Sequence, residues 1–293
     1  LIGLTQLDGK IPNLALMKIA GYHKQRGDEV DWWNGPLFPC EKVYASKIFD
    51  FTEDHLPDYI IRGGTGYSHT NKLPEEIEVL DHAGGWFLYP KYLNHIGFSE
   101  RGCRLNCSFC VVPEKEGKPT KEMSIGDLLS NPKGQDRLVL LDDDFLGHPD
   151  CLEVFKELID RKLKVCFLQG LNIRLITEDQ ARLLAQVKFY NTGFTSRMVT
   201  FAWDRHKDRK KILSGFQRCL EAGIKAYEMQ FFVLIGYDTE EAEDLERIET
   251  IRDLGALPFV MPYNKSIHYQ KKLARWVNHR AIFRTVSWAE YRG

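Results

Sequence analysis

Three cysteines stand close together in Glu100-Arg-Gly-Cys-Arg-Leu-Asn-Cys-Ser-Phe-Cys-Val-Val-Pro113, where Cys103, Cys107 and Cys110 are spaced C-x3-C-x2-C. Thiolates are soft ligands suited to zinc or to iron–sulfur clusters. A structural zinc site is closed by a fourth Cys or His, but the next cysteine is Cys151, followed by a long helical pattern. Three thiolates on a four-iron cluster would leave one iron open to an exchangeable ligand. Other runs also carry reactive groups. Asp142-Asp143-Asp144 puts three carboxylates side by side, which is costly without cations, donors or solvent. Asn172 and Arg174 offer directed donors, and Trp203-Asp204 offers an aromatic wall and an acid.

Each of these runs ends a candidate strand. The strands are His95 to Ser99, Arg137 to Leu141, Lys164 to Leu168, Met198 to Ala202, Met229 to Ile235 and Pro258 to Met261. Helical patterns separate them at about 123–129, 150–161, 178–187, 207–221 and 240–254, with a last helix from His268 to His279. Thr177-Glu-Asp-Gln180 has the form of a capping box, and Leu245, Ile248, Ile251 and Leu254 form a helical stripe. Six βα repeats close, wholly or partly, into a barrel whose reactive groups sit at the carboxyl ends of the strands. Before them, residues 1–90 read as a small α/β unit. Its strands are Leu1 to Leu4, Glu29 to Trp32, Lys42 to Ser46 and Tyr59 to Arg62, with helices Asn13 to Arg26 and Pro74 to His82. Gly63-Gly64-Thr65-Gly66 reads most simply as a flexible turn. The expected class is α/β: a partial (βα)6 barrel over 91–265, preceded by the small unit and followed by a helical extension over 266–293.

The cysteine spacing, with Phe109 just before the last cysteine and Arg101-Gly102 and Val111-Val112-Pro113 on either side, resembles the cluster loop of radical S-adenosylmethionine enzymes, methylthiotransferase-like members included. The resemblance spans about residues 92–263. It implies that Cys103, Cys107 and Cys110 hold one 4Fe-4S cluster, whose open iron chelates S-adenosylmethionine. Reductive cleavage then yields a 5′-deoxyadenosyl radical that abstracts hydrogen from a substrate. The resemblance places Phe109 beside the cofactor and Asp142 or Asp143 at its ammonium or at substrate. It places Asn172 and Arg174 at a carboxylate or ribose, and Gly236 and Tyr237 beside the adenine. The usual Gly-Gly-Glu after the second strand is absent; Asp-Asp-x-Phe looks like the cobalamin-linked subgroup. The amino-terminal unit resembles a shortened form of the Rossmann-like domain of cobalamin-dependent members. It lacks their Asp-x-His-x-x-Gly, because Tyr22-His23-Lys24-Gln25-Arg26-Gly27 differs in residue and spacing. Methylthiolation is not expected, since Cys40 is the only cysteine in the region where a second cluster would need three.

Composition sets wider bounds. The chain has 293 residues, 40 basic and 41 acidic, with a net charge of -1, so global charge does not point to nucleic acid or membrane. No apolar run reaches transmembrane length, and Leu1-Ile-Gly-Leu-Thr-Gln-Leu-Asp8 does not look like a secretory signal. Seven cysteines suit a reducing compartment, and a cytoplasmic location is expected. Cys40, Cys151, Cys166 and Cys219 read as small buried residues. The expected partners are a small-molecule or nucleotide-like substrate and a reductant such as flavodoxin or ferredoxin. Between Asn264 and Thr285 lie Lys265, Lys271, Lys272, Arg275, Arg280 and Arg284 with no acid, interleaved with Tyr269, Trp276 and Phe283. The plainer reading is a solvated helix face packing its aromatics inward. The alternatives are a non-catalytic iron–sulfur protein that binds nucleic acid there and a cobalamin-dependent methyltransferase.

Overall fold

The computed structural model describes residues 1–293. The amino-terminal unit runs β1 (Ile2–Gln6), α1 (Leu14–Gln25), β2 (Val30–Trp32), β3 (Lys42–Ser46), β4 (Ile61–Gly63) and α2 (Glu75–Glu78). Its strands form one parallel sheet in the order β2-β1-β3-β4. Asn13 caps α1 by accepting the amide of Leu16. The helix expected over Pro74 to His82 shrinks to one turn. Gly84 and Gly85 then carry a 3-10 turn, Ala83–Leu88, onto α1, where added Cβ atoms would strike Gly21 and Met17. Gly64 and Gly66 are held, not flexible. Gly64 has φ +98°, the Gly66 amide donates to the Lys47 carbonyl at 2.9 Å, and side chains at either glycine would strike the backbone of 47–49.

The rest of the chain continues β5 (His95–Gly97), β6 (Glu100–Arg101), α3 (Val112–Lys115), β7 (Thr120–Lys121), α4 (Ile125–Leu128), β8 (Arg137–Leu140), α5 (Cys151–Asp160) and β9 (Lys164–Phe167). It ends α6 (Glu178–Gln186), β10 (Lys188–Phe189), β11 (Val199–Ala202), α7 (Arg209–Glu221), β12 (Met229–Ile235), α8 (Glu241–Asp253), β13 (Leu257–Pro262), α9 (His268–Asn278) and α10 (Arg280–Thr285). Two parallel sheets result, β10-β9-β8-β5 and β11-β12-β13. A parallel bridge between Leu171 and Phe201 links them, with the Leu171 amide donating to the Thr200 carbonyl at 2.8 Å. The expected capping box at Thr177 and Gln180 is present. Two-residue strands are too short to show a period, so β10 and the β6–β7 ribbon escape a pattern reading. The last helix breaks at His279, whose ring caps α10.

One apolar core of 39 buried residues lies between these sheets and their helices, and includes Leu138, Val165, Phe201 and Phe231. The opposite face of β5, β8 and β9, through Ile96, Val139 and Cys166, packs on Met17 of α1 and on Trp86. On β12 and β13, Phe232 and Phe259 face the same way and remain partly exposed. The amino-terminal unit therefore covers half of that surface and leaves the other half open.

Candidate functional site

The cysteine loop begins two residues after the antiparallel stem of β6 and β7 opens. Gly102 makes that exit possible. It has φ +90°, and any side chain there would strike the Lys118 carbonyl. The Cys103 amide donates to Gly117 O at 3.0 Å, and the Cys110 amide to Cys107 O at 3.0 Å. The Leu105 amide lies 3.4 Å from Cys103 Sγ. All three thiols are free; Cys110 is exposed, and Cys103 and Cys107 are half-buried. Burial pushes the Cys103 thiol up to about 12 and raises Cys110, each helped by nearby negative groups. Metal loading must therefore expel protons.

The acidic run after β8 grips this loop at its root. Both oxygens of Asp142 are taken by Ser99: Oδ1 accepts the amide at 2.7 Å and Oδ2 accepts the hydroxyl. Asp143 Oδ2 accepts the Gly102 amide at 2.9 Å. Asp144 pairs with Arg104 Nε at 2.8 Å, and its amide donates to Glu100 Oε1 at 3.0 Å. Burial dominates the electrostatics. It pushes Asp142 up to about 7, Asp143 to about 6 and Glu100 to about 8, the last also through its three aspartate neighbours. Asp142 thus has both oxygens engaged by Ser99, whereas Asp143 keeps one oxygen unengaged by protein.

The other strand ends meet the same loop. Tyr237, after β12, donates its hydroxyl to Ser108 Oγ at 2.8 Å, and its ring stands edge-on to Phe109 with centroids 5.2 Å apart. Tyr263, after β13, packs on Tyr237 at 4.9 Å. Arg205, after β11, lies over Phe109 at 6.0 Å. Arg174, after β9, is held by Asp208 at 2.7 Å and by Asn172 Oδ1 at 3.0 Å, and its charge reaches Cys107 and Asp204. Asn172 Nδ2 and Arg205 Nε are buried without a hydrogen-bond partner.

One expectation needs correction. Trp203 is no mouth wall; it is fully buried, donating to the Arg205 carbonyl. A side chain at Gly236, with φ +72°, would strike Gln270 and Tyr269 of α9, so the glycine lets that helix pack close. Trp276 and Phe283 are buried and pack edge to face, as the plainer reading of that segment expects, so they offer no platform for bases. Sequence reasoning missed Ser99, Arg104, Ser108 and Arg205. No motif marks them, since each matters only through a partner distant in sequence.

No group of three His, Cys, Asp or Glu side chains is placed to hold a metal ion. The fit of an iron–sulfur cluster rests on donor chemistry: three free thiols in one braced loop, with no fourth Cys or His alongside them in that loop. No helix is long and apolar enough to cross a membrane. The chain matches no family model and shows no significant similarity to any curated protein.

Proposed function

We propose that this chain is a radical S-adenosylmethionine enzyme in which Cys103, Cys107 and Cys110 are the protein ligands of one 4Fe-4S cluster. The observation that carries the reading is convergence. The C-x3-C-x2-C loop follows the first strand of the large parallel array, and residues after β8, β11 and β12 meet it. In this reading β5, β8, β9, β11, β12 and β13 form a partial (βα)6 barrel. The Leu171–Phe201 bridge and the shared helix-packed core support that geometry.

The bound cluster and S-adenosylmethionine would supply the radical chemistry, a 5′-deoxyadenosyl radical able to abstract hydrogen. The chain's residues do the binding and orienting. Asp142, Asp143 and Asp144 fix the loop that carries the thiols. Arg174, itself oriented by Asp208, presents a cation to a carboxylate. Asn172 Nδ2 offers a free donor to a carboxylate or ribose oxygen. Phe109, Tyr237 and Tyr263 form an aromatic cluster against one side of the loop. A small-molecule or nucleotide-like substrate would meet the open face that carries Phe232 and Phe259.

The test is anaerobic. The protein is reconstituted with iron and sulfide, reduced with dithionite and given S-adenosylmethionine, and 5′-deoxyadenosine is sought by chromatography and mass. It should form in the wild type and vanish in the Cys103→Ala, Cys107→Ala, Cys110→Ala triple variant. Equal amounts from the triple variant would refute the proposal.

A further inference from the structure

A cavity of about 510 Å³ lies between the amino-terminal sheet and the stem of the cysteine loop, a volume that suits a small organic molecule. Its floor is apolar, with Leu16 and Ile19 of α1, Ile61 of β4, and Leu73 and Ile77. The brevity of the unit creates it. α1 is the only long helix there, the connections from β2 to β3 and from β3 to β4 carry none, and α2 is a single turn.

The cavity is not the usual crevice of an open parallel sheet. That crevice lies at the carboxyl ends of the strands where the order reverses, here β1 and β3, and protein fills it. Asp8 accepts the amides of Ile48 and Phe49 and the hydroxyl of Thr52. Asn13 donates to Ser46 Oγ at 2.8 Å, and Tyr89 donates to Gln6 at 2.7 Å.

Charge decides the class of occupant. Five cations line the cavity, Lys18, Arg62, Lys72, Arg101 and Lys115, against two carboxylates, Glu78 and Glu116. Four of the five cations are already paired: Lys18 with Glu78 at 3.2 Å and Glu122 at 3.7 Å, Arg101 with Glu116 and Glu122 at 3.4 Å each, Lys115 with Glu116 at 3.0 Å, and Arg62 with Asp54 at 2.7 Å. The cation to spare is Lys72, which is exposed at the rim, has no carboxylate partner and can turn toward an added acid. We infer that this cavity binds an organic anion with an apolar body, a phosphate ester or carboxylate on an aromatic or short aliphatic frame. Its far wall is Arg101 of β6 with Lys115 of α3, so an occupant bears on the segment that carries Cys103. The inference does not require the loop to hold a cluster.

The probe is anilinonaphthalene sulfonate, an aromatic anion, titrated by fluorescence into the full chain. One saturable equivalent is expected, weakened by salt and unchanged in the triple cysteine variant. Lys72→Glu and the slot-filling Ala15→Trp should each weaken it about tenfold, near 1.4 kcal/mol. Should Ala15→Trp fail to fold by circular dichroism, Lys72→Glu decides alone. Displacement by phenyl phosphate alone assigns a phosphate ester, and displacement by benzoate assigns a carboxylate. Non-saturable binding, indifference to Lys72→Glu, or displacement by neither competitor overturns the inference.

Discussion

A buried carboxylate needs donors, and Asp142 finds its own on a single residue, Ser99. Asp142→Ala would strand the Ser99 amide and hydroxyl together, costing about 1–3 kcal/mol for each group left unpaired. Asp142→Asn keeps one acceptor and should cost less. Thermal unfolding of both variants checks this, and equal midpoints in the two would argue against the clamp. Glu100 beside it is fully buried, with a folded value near 8 against 4.5 in the unfolded chain. The native state then holds a proton that the unfolded chain has released over the interval between those values. The stability this group contributes is full below the unfolded value and is lost as pH rises through the folded one. The metal-free protein should melt at a lower temperature near about pH 9 than near about pH 6, and Glu100→Gln should flatten that dependence. A midpoint that rises over this range in both proteins would contradict the assignment.

The loop is an element with almost no regular structure of its own, so its shape is imposed from two sides. One side is the acidic run after β8, and the other is Tyr237 after β12. Tyr237→Phe removes one hydrogen bond worth about 1 kcal/mol and keeps the ring on Phe109. Tyr237→Ala removes both. Iron bound per chain after reconstitution should fall slightly in the first variant and markedly in the second; equal loading in wild type and Tyr237→Ala would show that the latch is dispensable. This two-sided dependence explains what could be read from the chain alone. The cysteines and Asp142–Asp144 stand out by type and spacing, and β12 is legible over its full length because it is a long apolar run broken only by Gln230. Which groups meet was hidden. Tyr237 and Ser108 lie 129 residues apart, and nothing local in either sequence names the other. The triple aspartate suggests ligand binding by charge, yet Asp142 spends its oxygens on the loop, a distinction that only hydrogen-bond geometry makes. Trp203 misleads for a related reason: it stands at a strand end, but its indole turns back into the core.

At the scale of the molecule, the question is what keeps the amino-terminal unit against the larger array. The contact has an apolar centre and charged flanks. Met17 and Trp86 join Ile96, Val139 and Cys166 in one buried cluster, and Trp86 Nε1 donates to Ser130 at 3.1 Å. Lys18, almost fully buried, bridges Glu78 of its own unit and Glu122 of the loop stem at 3.2 and 3.7 Å. The closeness of α1 to the turn at 83–88 depends on glycine, since a Cβ on Gly85 would collide with the backbone of Met17. Gly85→Val therefore cannot be absorbed by rotating a side chain. It must push α1 away and draw Met17 and Trp86 out of the shared cluster, at a cost of about 1–3 kcal/mol or more. Because that cluster backs β5, from which the cysteine loop departs, the damage should reach the loop. The variant should unfold at lower temperature, become open to protease between residues 64 and 95, and take up less iron. A Gly27→Val control, at a glycine with φ +85° and nothing within 4 Å, carries backbone strain that Gly85→Val lacks but no collision. If both variants lose stability equally while iron uptake stays normal in each, the two units are coupled only loosely. If only Gly85→Val loses iron, the amino-terminal unit is part of what holds the cysteine loop in place.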